Sequence, residues 1–554
     1  MKATRTATYL VTLLTVTSLA TGVFAQVDTM KVTRERIAQT QDILGLTFTD
    51  AQLDSMIDIL RDNLRSYDSL RHVTIPNSVP PAVQFNPIPR GFHFETKSRP
   101  IVLSPVDNLK RPADLNDLRF YSLRQIGELV RRRIVTSTEL TRLCLERLKK
   151  FDPMLHCVIT LTEELALKQA ALADSELAKG HYRGPLHGIP YGAKDLLAAK
   201  GNKTTWGSVP FKDQVIDEDA TVIRRLREAG AVLVAKLSDG ELAMGDVWFG
   251  AMTRNPWDTS QGSSGSSAGS ASAVAAGLLP FAIGTETWGS IVSPSTRCGA
   301  TGLRPTFGRV SRAGAMALSW SMDKIGPICR NVEDLAIVFD AIRGPDGIDE
   351  PVYDAPFNYT PKVDLKKLRI GYLKKDIAED TPTVKFDEQT LDQFRKMGVT
   401  LHEIELPKLP IPAMAIVLSA EAAAAFDEIT RNHETDLMVQ QTKDAWPNIF
   451  RSSRFIPAVE YVQANRLREL AITQMAHLMD SIDVYIAPAF GGNNLLLTNL
   501  TGNPCVVVPN GFDSTGHPVS ITFMGRLFDE ATVLAVAKAY QDATDFNKKH
   551  PAGF

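Results

Sequence analysis

Residues 262–291 read GSSGSSAGSASAVAAGLLPFAIGTETWGSI. Composition alone makes the first half a flexible Gly/Ser linker. The stretch runs on, however, into an Ala-rich segment from about Ala268 to Leu279 and then into a short apolar segment beginning at Phe281. A linker is not continued by core. The sequence therefore predicts loop, close-packing helix and buried strand in succession. Gly265-Ser266-Ser267-Ala268-Gly269 also matches the G-x-S-x-G elbow, which would make Ser267 a nucleophile. That motif needs a strand directly before the turn, and Asn255 to Gln261 is a poor strand.

Outward from this centre, helical and strand-like segments alternate. Thr136 to Glu139 forms a capping-box pattern opening a helix to about Lys150, Glu163 to Lys179 is a second helix, and Val384 to Met397 and Glu530 to Asp542 are further ones. Val232 to Ala235, Leu368 to Tyr372, Asp483 to Ala487 and Cys505 to Val508 are short β-branched runs suited to buried strands. Alternation of this kind predicts an α/β fold, a mixed β-sheet covered on both faces by helices.

With these elements in place, Gly265 to Gly277, Gly284 to Pro294 and Gly299 to Arg312 resemble the amidase signature of a family of serine hydrolases. Gly188 to Asp195 resembles that family's lysine motif, and Asp483 to Pro488 and Leu500 to Gly511 resemble its C-terminal blocks, so the similarity runs from about 120 to 545. The resemblance implies a Ser, cis-Ser, Lys triad of Ser290 as nucleophile, Ser266 as bridging serine and Lys194 as base, with a cis peptide entering Ser266. It also implies an oxyanion hole from the backbone N–H groups of Thr287, Trp288, Gly289 and Ser290, with Ser267 supporting Lys194. The chemistry stands on its own terms: a serine hydroxyl needs a base, and lysine serves as one only when burial keeps it neutral. Ile189 to Ala193 is an apolar approach that carries Lys194 inward rather than leaving it paired with Asp195 at the surface. Two departures stand out. Many relatives have Asp-Thr-Gly-Gly-Ser-Ile-Arg where this chain has Glu286 to Val292, so an Asp/Arg pair is altered and Trp288 replaces a glycine. Trp288 either lines the acyl pocket or packs away from it, and Arg297 either compensates for the missing arginine or lies on the surface.

The ends of the chain read differently. Lys2 and Arg5, the apolar run Tyr9 to Ala20 and the small-residue site ending at Ala25 resemble a secretory signal peptide, residues 1–25, which implies a periplasmic or secreted protein. Residues 26–115 follow as a helical pair, about 32–44 and 50–70, and a Pro-rich strap with prolines at 76, 80, 81, 87, 89, 100, 105 and 112. Helical pair and strap together wrap the catalytic domain, cover its mouth or make a homodimer contact. The catalytic domain is then 116–554. Taking 61 basic from 63 acidic side chains leaves −2 over 554 residues, which gives no basis for a nucleic-acid partner. Five scattered cysteines do not make a disulfide framework, and no HExxH or Cys/His spacing suggests a metal site.

On the sequence, the favoured activity is an exported serine amidohydrolase. It would cleave small neutral or apolar linear carboxamides without metal or organic cofactor, with no nucleic-acid partner and no membrane association after signal cleavage. An esterase or carbamate hydrolase would use the same residues. The amidotransferase subunit of the family is less favoured, because the signal peptide separates it from a cytosolic partner and tRNA. The segment 411–450, with Phe426, Trp446 and Phe450, shapes the pocket or packs as core.

Overall fold

The structure, a computed structural model, describes residues 28–380 and 382–554, so the signal-peptide expectation for 1–25 lies outside the described residues. The described residues divide into two compact units, 28–75 and 76–554. In the first, the helices Arg34–Ile43 and Asp50–Arg71 form the predicted pair. The Thr49/Gln52 capping box opens the second of them, and the Arg34 Nε donates to Asp54 across the pair at 2.6 Å.

The second unit is built on an 11-stranded mixed sheet. Its strands are β1 (Val158–Leu161), β2 (Pro190–Lys194), β3 (Val232–Leu237), β4 (Phe281–Glu286), β5 (Thr301–Arg304), β6 (Lys324–Cys329), β7 (Ile370–Tyr372), β8 (Leu401–Glu403), β9 (Val484–Pro488), β10 (Cys505–Phe512) and β11 (Pro518–Gly525). They lie in the order β1-β3-β2-β4-β6-β5-β10-β11-β9-β7-β8. β2 runs parallel to β3 and β4, and β7 runs parallel to β8 and β9, while the other pairings are antiparallel.

Period-two alternation explains why both faces are covered. In β10, Val506 and Val508 enter one apolar cluster, with the helices Val332–Ile342 and Glu530–Thr544, while Cys505 and Val507 enter another on the opposite face, beneath the helix Ala458–Ser481. β9 divides in the same way, Val484 and Ile486 to one side and Tyr485 and Ala487 to the other. All five cysteines are buried and free, and burial pushes the thiols of Cys144 and Cys505 up to about 12.

The central stretch folds as loop, helix Ala268–Ala275 and strand β4. Ahead of it, Arg254–Asn255 and Asp258–Gly262 pair as a small antiparallel ribbon outside the main sheet, a strand where none is predicted. Within the second unit the strap is held by the segment around Asn358 and Tyr359: Val102 N donates to Tyr359 O at 2.9 Å, and Arg99 N donates to the Asn358 side chain at 2.7 Å.

Candidate active site

The parallel pairing of β2 with β4 sets Ala193 beside Ile283, so Lys194 at the end of β2 comes next to Thr285 near the end of β4. Lys194 is wholly buried. Its Nζ donates to Ser266 Oγ at 2.7 Å and to Thr285 Oγ1 at 2.9 Å. The neighbouring Asp195 does not hold it, because that carboxylate accepts from Lys236 Nζ at 2.6 Å and from Thr205 N at 2.7 Å. Burial pushes the Lys194 ammonium down to about 8, against the pull of Asp239, Asp323 and Glu286.

Asp239 is a residue that the sequence reading passed over. It lies two residues past the end of β3, is buried, and neither carboxylate oxygen has a hydrogen-bond partner among the described residues. Burial holds its carboxyl well above the usual carboxylate range, with Lys194 pulling the other way. A carboxyl raised in this way pulls less on Lys194 than an ordinary carboxylate would, which favours the free amine.

Ser266 enters through a cis peptide from Gly265, as the resemblance implies. Ser267 does not reach the lysine. Its Oγ donates to Thr285 O at 3.0 Å and accepts from Thr285 N at 3.1 Å, so it fixes the residue that does. A hydroxyl held on both sides and fully buried is poorly placed to act as the nucleophile of an elbow. Thr285 is thus the direct second partner of Lys194, and its signal in the sequence was only its position two residues before Thr287.

Ser290 lies in the turn between β4 and the helix Val292–Cys298 and is 8% exposed. Its carbonyl accepts from Ser267 N at 3.1 Å, which ties the two serine-bearing segments together. Gly289 has φ +89°, and an added Cβ would lie 3.2 Å from Leu495, so the turn requires glycine here. Beyond the turn, the N–H groups of Ile291 and Val292 donate to Glu286 Oε2 at 2.8 and 3.0 Å. Among the described residues, the N–H groups of Thr287, Trp288, Gly289 and Ser290 donate to no protein acceptor. A cluster of free donors beside a serine hydroxyl suits a developing oxyanion. The Trp288 side chain is 45% exposed.

The altered Asp/Arg pair is rebuilt from elsewhere. Glu286 Oε1 accepts from Arg304 Nη1 at 3.0 Å and from Asn499 Nδ2 at 2.9 Å, all three groups buried. Arg297 is exposed and plays no part in that pair. Burial opposes ionisation of Glu286, yet Arg304, the Val292 N–H and Asn499 hold its carboxyl below the usual value. The stability this contributes is present above the ordinary carboxyl value of 4.5 and is lost as pH falls through the lower folded one. Replacing Arg304 with methionine leaves a buried carboxylate unpaired, so urea denaturation is expected to show a loss of about 3–5 kcal/mol. Adding Glu286→Gln to that variant is expected to restore part of it.

Phe426, Trp446 and Phe450 form core rather than pocket lining. Trp446 and Phe450 stack at 5.1 Å between centroids, and Phe426 and Phe450 at 5.4 Å. Trp446 Nε1 donates to Leu242 O at 2.9 Å, bracing the segment that follows Asp239.

Comparisons with known proteins bear on the family and the fold. The amidase family model matches residues 139–497. A glutamyl-tRNA(Gln) amidotransferase subunit of Methylococcus capsulatus is 36% identical over 480 residues, covering 78% of this chain and 99% of that protein. Among solved structures, the peptide amidase of Stenotrophomonas maltophilia is 30% identical, with a TM-score of 0.69 over 78% of this chain and 98% of that one. The glutamyl-tRNA(Gln) amidotransferase subunit of Thermotoga maritima is 26% identical, with a TM-score of 0.66 over 77% and 96%. The run of amidotransferase relatives overturns the preference for an exported amidohydrolase: the sequence reading let the N-terminal segment outweigh likeness across the body of the chain, and that likeness favours the amidotransferase type. The chain belongs to the amidase signature family and is an enzyme of amidase type, acting on carbon–nitrogen bonds.

Proposed function

We propose that this chain is the amide-hydrolysing subunit of an amidotransferase-type enzyme, releasing ammonia from a carboxamide donor and working beside partner subunits. Its relatives are named as one subunit of an amidotransferase, which supports the assembly and the fate of the nitrogen. The observation that carries the chemistry is the wholly buried Lys194 bonded at 2.7 Å to Ser266 with no carboxylate paired to it.

In this reading the neutral Lys194 amine takes the Ser266 hydroxyl proton while Ser266 takes that of Ser290. Ser290 Oγ attacks the carboxamide carbon, and the oxyanion falls among the free N–H groups from Thr287 to Ser290. The proton returns along the same relay to the nitrogen, the C–N bond breaks and ammonia leaves, with the acyl group as an ester on Ser290. Protonation matters because an amide anion does not depart. Water, activated by the same relay, then cleaves the ester.

Hydroxylamine tests the acyl-enzyme, because it competes with water for the ester. With propionamide as donor, hydroxamate is expected to accumulate, and hydroxamate and propionate together are expected to equal the ammonia released. Ammonia without hydroxamate at saturating hydroxylamine would argue against the covalent route. Isolated from its own cells, the chain is expected to elute as part of a larger assembly of unlike subunits, and elution as a lone chain would remove the assembly part of the reading.

A further inference from the structure

The turn that carries the free N–H groups is held at both ends by carboxylates. At its far end Glu286 accepts from Ile291 N and Val292 N. At its near end Thr287 Oγ1 donates to Asp323 Oδ1 at 2.5 Å. The strand register brings that second pair together: antiparallel β4 and β6 set Glu286 beside Lys324, so the next residue along β4, Thr287, comes level with the one before β6, Asp323. Donors aimed at a developing oxyanion have no protein acceptor of their own, so their aim is left to the side chains that anchor the turn.

The other oxygen of Asp323 is tied to a loop. Oδ2 accepts from Leu318 N at 2.8 Å and from Ser319 N at 2.9 Å. That loop is pinned in turn. Ser319 Oγ and Ser321 Oγ donate to the two oxygens of Glu421 at 2.6 and 2.7 Å, and Arg468 donates to Ser321 Oγ and to Ser321 O, each at 2.8 Å.

The strap grips the start of the same loop. The Asn77 side-chain amide donates to Ala317 O at 2.8 Å and accepts from Ala317 N at 2.7 Å, fixing both backbone groups of one residue at once. Phe85, also of the strap, lies 3.5 Å from the Arg468 guanidinium that holds Ser321. Ala317 precedes Leu318, so hydrogen bonds run from Asn77 to the loop, from the loop to Asp323 and from Asp323 to Thr287.

We infer that Asp323 is a positioning residue for the oxyanion turn, and that Asn77 makes the strap part of the same device by fixing the loop on which Asp323 leans. Asp323 acts through Thr287 rather than on substrate. The inference rests on the amide-hydrolase reading.

Steady-state turnover of propionamide by the full chain tests it. Asp323→Ala is expected to lower kcat about 10²-fold with KM changed by less than about twofold, since a misplaced donor weakens transition-state rather than ground-state binding. Asp323→Asn, whose amide can accept from Leu318 N and Ser319 N and donate to the Thr287 hydroxyl, is expected to recover most of that loss. Thr287→Val keeps the backbone N–H and removes the hydroxyl that Asp323 holds. It is expected to match Asp323→Ala, with the double variant falling no further. Asn77→Ala is expected to lower kcat about tenfold at unchanged KM. Losses that multiply in the double variant, Thr287→Val at the wild-type kcat, or Asp323→Asn as slow as Asp323→Ala would overturn the positioning role. Asn77→Ala at the wild-type kcat would overturn the strap's part in it. Should Asp323→Ala fail to fold, Thr287→Val and Asp323→Asn carry the test. Fluorophosphonate labelling of Ser290 separates the two readings. A wild type that labels, with Thr287→Val and Asp323→Asn turning over and labelling at its rate, removes the positioning role alone. A wild type with no adduct on Ser290 removes the hydrolase reading beneath it.

Discussion

A Ser290→Ala chain is expected to fold like the wild type and to lose amide turnover by about 10⁵-fold or more, the scale seen when a serine nucleophile is removed. Ser290 contributes its carbonyl to the bond with Ser267 N, which alanine keeps, and its side chain fills little space, so stability is expected to change by less than about 1 kcal/mol. Intact mass after treatment with a fluorophosphonate checks the assignment. One adduct is expected on the wild type, none on Ser290→Ala, and one on Ser267→Ala. An adduct that disappears instead in Ser267→Ala would move the nucleophile to the elbow, against the two bonds that hold the Ser267 hydroxyl to Thr285.

Lys194→Met is expected to lower kcat/KM by about 10⁴-fold, at the upper end of what a positioned base contributes, and at the same time to stabilise the fold. The drop from the ordinary lysine value of 10.5 to about 8 corresponds to about 3 kcal/mol of disfavoured burial. The sign follows from proton binding. Between pH 8 and 10.5 the unfolded chain holds the proton and the folded chain has released it, so stability rises with pH through that window. Below pH 8 the penalty is present in full. Methionine removes it but takes a partner from Ser266 and Thr285, worth about 1 kcal/mol each. The net expectation near neutral pH is a gain of about 1 kcal/mol, visible as a higher Tm. In the wild type, kcat/KM is expected to climb about tenfold per pH unit up to pH 8 and then level off, as the amine becomes neutral. A flat profile from pH 6 to 9 together with lowered stability in Lys194→Met would show that the lysine is structural.

The sheet was legible where a strand was a short β-branched run and hidden where it was not. Runs such as Val232 to Leu237 and Cys505 to Val508 announce buried strands by β-branching. β6, by contrast, reads Lys-Ile-Gly-Pro-Ile-Cys, with proline and glycine inside a central strand, a composition that argues against one. Its glycine is required: a Cβ on Gly326 would lie 2.0 Å from Leu303 O. The helix Ala458–Ser481 was missed because its apolar residues do not gather on one face, and Val459, Val462 and Leu470 are exposed. At the site, the serines and the lysine were proposed through the family resemblance. Thr285, Asp239 and Arg304 were not, since their roles depend on which strands become neighbours.

The five thiols carry a practical consequence. Each is enclosed and, through enclosure, poorly ionised, so a thiol reagent meets almost no thiolate in the folded chain. Cysteine modification therefore counts molecules that have opened, while a hydroxyl-directed probe counts molecules that are folded and competent. The same sample can then be divided into those two populations without introducing a single substitution.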